Sequence, residues 1–461
     1  MTDITERTLK MKSILASFMT AFAVAAFAEG PVVSDVAMSQ NADTLAVTVT
    51  YALAGAPAIV TVDFTTNGVS IGAENERVVG GDVNTYVETG AVKRIFWSCD
   101  ADWPGRRIAD GSLKAVVTAW ALDNPPDYMV CDLNTTNGVS FYVSEAALPL
   151  AVTNDMYKKT HLVMRRVHAA NREWCMGSPA AGLEKGCTAA ERDTVSVAHR
   201  VVLSSDYYIG VYPVTQWQYY YLTGGYKGGS FPSAYSSSNS YVTEDQVRMR
   251  PVESVSYNNL RGTTEADGSG YDWPQDGHAV APNSAIGKLR ALTGIASFDL
   301  PTEAQWEFAC RAWTCTGLNS GKDVTTANAT QPCANLAEVG WYGGNASDYG
   351  NSHKTTRPVG LLKPNSFGLY DMHGNVYELC LDRYSSGDTY KATFAAGWQN
   401  GEPTFDPVGA TTGTNTVYRG GDYFYGPYYA RSAYRFFLAT VGREYTSQHY
   451  GFRLVCKADF R

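Results

Sequence analysis

Apolar and polar positions alternate with period two in four stretches of the first third of the chain: Leu45–Tyr51, Ala58–Phe64, Lys93–Trp97 and Leu113–Trp120. That period places every second side chain on one face of a half-buried strand. Turn-forming pieces such as Thr66-Asn-Gly68 and Gly80-Gly-Asp82 separate the stretches, and no helical period intervenes. Residues 29–145 are therefore expected to form a small antiparallel β-sandwich, an accessory or adhesion-like module without a catalytic constellation. Cys99 and Cys131 lie near the ends of two expected strands and form a candidate disulfide. A linker over 146–164 follows.

From residue 165 the pattern changes to short capped helices among long glycine-rich segments. Thr215 with Gln218 makes a capping box ahead of Trp217, Tyr220 and Tyr221, and Gly224 supplies the stop. Ser284 caps a segment whose Ala285, Leu289 and Leu292 share a face, closed by Gly294. Thr302 with Gln305 opens another helix, where Trp306, Ala309, Cys310 and Trp313 recur at helical spacing as an expected buried stripe. Loops of this length need side-chain packing, disulfides or ions to hold them.

Composition narrows the functional classes. In 461 residues only 18% are charged, the net charge is -8, and no basic run offers a footing for nucleic acid. Lys10 and Lys12 precede an apolar stretch from Ile14 to Ala26, with a small-x-small site ending at Ala28. This reads as a signal peptide over residues 1–28, with Met11 a second possible start, because the stretch is shorter than the ~20 residues of a membrane span. The mature chain is expected to be secreted, periplasmic or on the cell surface, without a membrane span. In such a compartment the nine cysteines are disulfide candidates, with one left over. Neither cysteines nor histidines show zinc-site spacing.

Several motifs then occur in a fixed order: Trp174-Cys-Met-Gly-Ser178, Tyr208-Ile-Gly-Val-Tyr-Pro-Val-Thr215, Pro251-Val-Glu-Ser-Val-Ser256, and Leu300-Pro-Thr-Glu-Ala-Gln-Trp-Glu307. Asn365-Ser-Phe-Gly-Leu-Tyr-Asp-Met-His-Gly-Asn-Val-Tyr-Glu378, Arg419-Gly-Gly421 and Gly451-Phe-Arg453 complete the series. Over residues 165–461 the chain resembles the formylglycine-generating enzyme (sulfatase-modifying factor, FGE-sulfatase) family. The resemblance implies an α+β, C-type-lectin-like fold with little regular secondary structure. Asp371 and Glu378 flank a Gly374-Asn375 turn, and such a mixture of carboxylate and carbonyl oxygens suits calcium. By position, the family's structural calcium site falls on the side chains of Asp371 and Glu378 and the carbonyls of Gly374 and Val376. The other reading is a glycine turn whose carboxylate caps backbone amides.

Active family members carry two copper(I)-binding cysteines after an RGGS motif. The corresponding positions here hold Tyr425 and Ala430, with Asp422 at the serine. A phenol and a methyl group cannot replace a bis-thiolate, so a copper site is not expected. The resemblance also pairs Cys310 with a cysteine after the closing Gly-Phe-Arg, for which Cys456 is the nearest candidate. Cys175–Cys187 and Cys315–Cys333 are further candidates, leaving Cys380 as a buried thiol.

The expected function is ligand binding by an aromatic groove formed from Asp422, Tyr423, Tyr425, Tyr428, Tyr429, Arg431, Tyr434 and Arg435, together with Phe424, because Tyr and Arg dominate binding hot spots. A protein, a peptide or a glycan would suit it. Some of these rings can equally be core. The alternatives are an oxidoreductase acting on a sulfatase-type cysteine and a structural surface protein.

Overall fold

The computed structural model describes residues 30–108, 111–178, 196–225, 244–262, 279–326, 328, 331–347, 354–386, 402–410, 415–437 and 444–461. The first unit is built from β1 (Val32–Gln40), β2 (Val47–Ala54), β3 (Ala58–Thr66), β4 (Thr85–Val87), β5 (Gly90–Trp97) and β6 (Lys114–Trp120). One sheet has the order β1-β2-β5 with Val79–Gly81 on its edge. The other has β3 between β4 and Val69–Ser70, with β6 also pairing along β3. Val47, Val49, Tyr51 and Leu53 of β2 face Ala58, Val60 and Phe64 of β3 in a shared core, where Phe64 stacks on Trp97 at 4.5 Å. The alternation along β2 thus does what its period requires. Leu45 is the exception: it adopts a left-handed φ of 57° in a turn closed on Asn41, so the strand begins later than its apolar pattern.

The second unit starts earlier than expected. β7 (Tyr128–Asp132) and β8 (Val139–Tyr142) do not close the first unit. They join β9 (His161–Val167), β12 (Tyr207–Gly210) and β16 (Val455–Lys457) in a sheet of order β8-β7-β9-β12-β16. Residues 146–164, expected as a linker, contain a helical turn at Met156–Lys159 and the first residues of β9. Tyr157 there is fully buried, and Leu162 and Met164 enter the central core. The reason is that β7 is apolar on both faces and demands cover on both sides. The two units touch, with Phe141 N–H donating to the Asn84 carbonyl and Ile59 reaching the central core.

A second small sheet pairs β10 (Arg172–Met176) with β11 (His199–Leu203). The helices α1 (Gln216–Thr223), α2 (Tyr257–Arg261), α3 (Ala285–Thr293) and α4 (Glu303–Arg311) pack around the sheets. Thr215/Gln218 and Thr302/Gln305 form reciprocal capping boxes, Ser284 caps α3, and Gly224 and Gly294 end their helices in the left-handed conformation. Tyr220 and Tyr221 lie on the outer face of α1, whose buried side is Gln216, Gln218, Tyr219 and Leu222. One side-chain expectation fails. Trp313 leaves the α4 stripe because the helix stops at Arg311, and Ala312 and Trp313 turn to positive φ. Short helices beside extended sheets make the described part an α+β structure, and among the described residues no helix is long and apolar enough to cross a membrane.

The eight cysteines among the described residues are free thiols. Cys99 belongs to the core of the first unit and Cys131 to that of the second, so they do not meet. Val455 packs into the core that holds Cys310, while Cys456 beside it faces the opposite side of β16, with Cys131 and Tyr208. Adjacent strand residues point to opposite faces, and this turns Cys456 away from Cys310. Cys315 is exposed while Cys333 is buried, accepting from Thr325 N–H at 3.5 Å. Cys187 lies outside the described residues.

Just past β9, His168 bridges Asp127 (2.8 Å) and Asp206 (3.1 Å). Its hydrogen bonds to Asp127 and then Asp206 raise its pKa to about 9, above the ordinary value near 6.5. A folded pKa above the unfolded one stabilises fully below the unfolded value, and the contribution is lost as pH rises through about 9. Melting temperature should therefore fall between about pH 6.5 and 9.5 in the native chain and fall less in His168→Gln. Parallel curves for the two proteins would show that this bridge does not couple to folding.

Candidate ligand-binding site

The site is laid on a three-stranded sheet of order β14-β13-β15, where β13 is Tyr377–Arg383, β14 is Thr416–Arg419 and β15 is Tyr450–Phe452. β13 runs antiparallel to β14 and parallel to β15, so the Arg419-Gly-Gly421 and Gly451-Phe-Arg453 motifs flank Glu378 on either side. Glu378 is the centre of this arrangement. Arg453 holds its two carboxylate oxygens at 2.9 and 3.0 Å, and Trp306 Nε1 donates to one of them at 2.7 Å. The remaining guanidinium protons of Arg453 go to the carbonyls of Gly210, Val211 and Tyr370. Two further buried pairs follow the same plan: Arg419 with Glu307, and Arg435 with Glu303 at 2.5 and 2.7 Å.

The 371–378 loop forms the bed for the segment after Arg419. Gly374 N–H donates to the Gly420 carbonyl at 2.7 Å, Tyr423 N–H to the Asn375 carbonyl at 3.1 Å, and His373 Nδ1–H to the Ala430 carbonyl at 2.6 Å. His373 Nε2 accepts from Asn319 N–H at 2.9 Å; burial pushes its pKa down to about 4, so the ring is a neutral strut. Gly374 has a φ of 75°, and a Cβ there would sit 1.9 Å from the Trp341 carbonyl oxygen. Gly421 is left-handed as well, with its missing Cβ 2.7 Å from the Cα of Ala430. Gly421 and Ala430 thus meet backbone to backbone, and any side chain at position 421 would collide there.

The carboxylates of the loop do not fit a calcium site in this arrangement. Both oxygens of Glu378 are taken by a guanidinium, a cation already in place. Asp371 spends one oxygen on Gly360 N–H (2.7 Å) and the other on Asn375 (3.3 Å), and burial raises its pKa to about 6. This is the turn in which a carboxylate caps a backbone amide.

From the bed the chain turns outward at Asp422. This buried carboxylate accepts from Phe424 N–H (3.1 Å), Tyr425 N–H (2.9 Å) and His449 Nδ1–H. The rings beyond it are contiguous. Tyr425 contacts Tyr429 at 5.3 Å, Tyr429 contacts Tyr434 at 5.1 Å, and Tyr428 lies 5.3 Å from both Tyr429 and Tyr434. His449 lies 5.5 Å from Tyr423, stacked at 17°, and 5.6 Å from Tyr425. Phe424 is 46% exposed, Tyr425 39% and Tyr445 37%. Of the residues expected to face a ligand, Tyr425 is exposed, and Tyr428, Tyr429 and Tyr434 are half-buried. Asp422, Tyr423, Arg431 and Arg435 are inside: Arg435 is the partner of Glu303, and Arg431 lies under Tyr428, 4.5 Å from its ring centroid. His449, Tyr445 and Glu253 belong to the site without having been singled out, since their neighbours are remote in sequence.

Residues 176–458 match the sulfatase-modifying factor enzyme 1-like (FGE-sulfatase) domain. The chain belongs to that family. Among curated relatives it is 26% identical over 227 residues to the chaperone protein LppX of Paenibacillus barcinonensis, covering 44% of this chain and 73% of that one. It is 36% identical over 124 residues to the formylglycine-generating enzyme of Streptomyces coelicolor, covering 27% and 35%. The alignment thus spans about a third of that enzyme's length. Among solved structures, the Treponema denticola variable protein 1 is 25% identical with a TM-score of 0.42, covering 65% of this chain and 96% of that one. Within this FGE-sulfatase domain, the cysteine positions that the resemblance implies fall on the exposed Tyr425 and the buried Ala430. Cys310, in the adjoining core, is fully buried beside Ser432 at 3.6 Å, and burial pushes its pKa up to about 12.

Arg453→Met should leave Glu378 buried without its cation and cost about 3–5 kcal/mol in urea unfolding. Excess EDTA should leave the melting temperature of the native chain unchanged. A chelator-induced drop of several degrees, reversed by calcium, would return a cation to the loop.

Proposed function

We propose that this chain is a secreted, binding member of the FGE-sulfatase family, in which an aromatic groove on a C-type-lectin-like scaffold takes the place of thiol chemistry. The observation that carries the reading is the environment of Tyr425. It stands at a copper-ligand position of active relatives, is exposed, and joins a continuous band of rings from Phe424 to Tyr434. A phenol is a poor copper(I) ligand, whereas Tyr supplies large, stiff, amphipathic contact area at low entropic cost. The bed beneath, fixed by Glu378, Arg453 and Asn375, presents those rings without reorganisation, which lowers the cost of binding. The first unit, with no clustered chemistry of its own, serves as a spacer or adhesion module.

Two measurements test this. On glycan and peptide arrays, Tyr425→Ala and Tyr429→Ala should lose at least about tenfold in affinity, the scale of a hot-spot truncation, with melting temperature held within a few degrees. Loss of stability in place of binding would show that the rings are core. Copper(I) with a cysteine-containing sulfatase peptide should give no oxygen consumption, and turnover there would restore the oxidoreductase reading.

A further inference from the structure

Beside the exposed rings lies a set of polar groups that the packing of the domain does not use up. His449 donates through Nδ1 to Asp422, which fixes the ring's orientation and turns Nε2 away from the carboxylate. Nε2 has no hydrogen-bond partner among the described residues, and the side chain is 17% exposed between Tyr423, Phe424 and Tyr425. Asp422 is held on its other oxygen by the amides of Phe424 and Tyr425, so it cannot swing away from the imidazole.

Two buried atoms adjoin this pair. Glu253 Oε1 and Tyr377 Oη have no hydrogen-bond partner among the described residues, although both residues are almost wholly inaccessible. Ser254, next to Glu253, donates its N–H to the Ser447 carbonyl at 3.0 Å, two residues from His449, and burial raises the Glu253 carboxyl to about 7. The Tyr377 phenol feels Asp422, and its ring lies 6.5 Å from that of Tyr425 and 6.1 Å from that of Tyr450. Unsatisfied buried polar atoms are uncommon in folded proteins and mark places where water or a ligand supplies the missing bond.

The chemistry restricts what fits. An imidazole nitrogen, a carboxyl and a phenol all form hydrogen bonds, so the occupant must bring several groups able to donate and accept. The exposed rings of Phe424 and Tyr425 ask in addition for a flat apolar face. A purely aromatic ligand serves none of the three polar groups. A pyranose has both parts, with C–H bonds on one face and hydroxyls around its rim. We infer that the Asp422–His449 pair is the polar recognition point of the groove and that the groove takes a carbohydrate ring, stacked on Tyr425 with a hydroxyl hydrogen-bonded to His449 Nε2. This rests on the groove reading above and adds to it the ligand class and the residue that orients it.

The test uses the whole chain, 15N-labelled, titrated by NMR with methyl glucoside, methyl galactoside, methyl mannoside and N-acetylglucosamine, and in parallel with a panel of short peptides. At least one sugar should shift both the His449 Nε2 resonance and the Tyr425 ring. His449→Gln and Asp422→Asn should each weaken it about tenfold, the worth of one hydrogen bond to a buried group, without abolishing the Tyr425 shift. Sugar binding that is unchanged in His449→Gln would overturn the role of the imidazole. Peptide binding at Tyr425 with no sugar response would overturn the ligand class while leaving the groove standing. Silence at Tyr425 toward both panels would remove the groove itself. Should either variant fail to fold, the His449 Nε2 resonance of the native chain during the sugar titration still decides, since a static resonance contradicts the inference.

Discussion

The second unit depends on one requirement: the arginines of its C-terminal segments are buried and each must find an acceptor. Arg419, Arg435 and Arg453 meet Glu307, Glu303 and Glu378, supplied by α4 and β13. A buried ion pair adds little net stability, but leaving one member alone costs several kcal/mol, so the pairs specify arrangement more than they add stability. Satisfying all three holds the chain at Arg419, Arg435 and Arg453 against α4 and β13. That placement sets β14 and β15 on either side of β13 and fixes where the intervening chain can leave the domain.

The glycines make this placement sterically possible. Gly374 and Gly421 adopt left-handed backbone where another backbone segment passes within van der Waals range of a missing Cβ. The loop between Asp371 and Glu378 can therefore lie flat beneath residues 420–430 and hold them by backbone hydrogen bonds. A domain with few helices and short strands obtains a rigid surface in this way. Its rigidity comes from charge pairing and close backbone approach more than from long ladders of regular structure.

On that bed the chain between Asp422 and Tyr434 carries the band of exposed and half-buried rings. Gly421 shows the constraint most directly, because a Cβ there would sit 2.7 Å from the Cα of Ala430. Tyr425 faces outward and is under no such limit.

Local signals in the sequence sufficed for the strands of the first unit, the capped helix starts, the family frame and the ring-rich segment, because each depends on neighbours within a few residues. The alternation along β2 and the capping boxes at Thr215 and Thr302 need no distant partner to be read. What tertiary structure decided are the pairings across long separations. Cys310 and Cys456 lie on opposite sides of a strand; Arg431 and Arg435 turn inward; β7 and β8 join the second unit; and His449 meets Asp422 across 27 residues. Such outcomes depend on which face of a strand looks into which core and on which buried charge needs which partner, and a one-residue change of register reverses them. The sequence by itself therefore determined the scaffold and its aromatic segment, while the three-dimensional packing alone decided which of those side chains are free to meet a ligand.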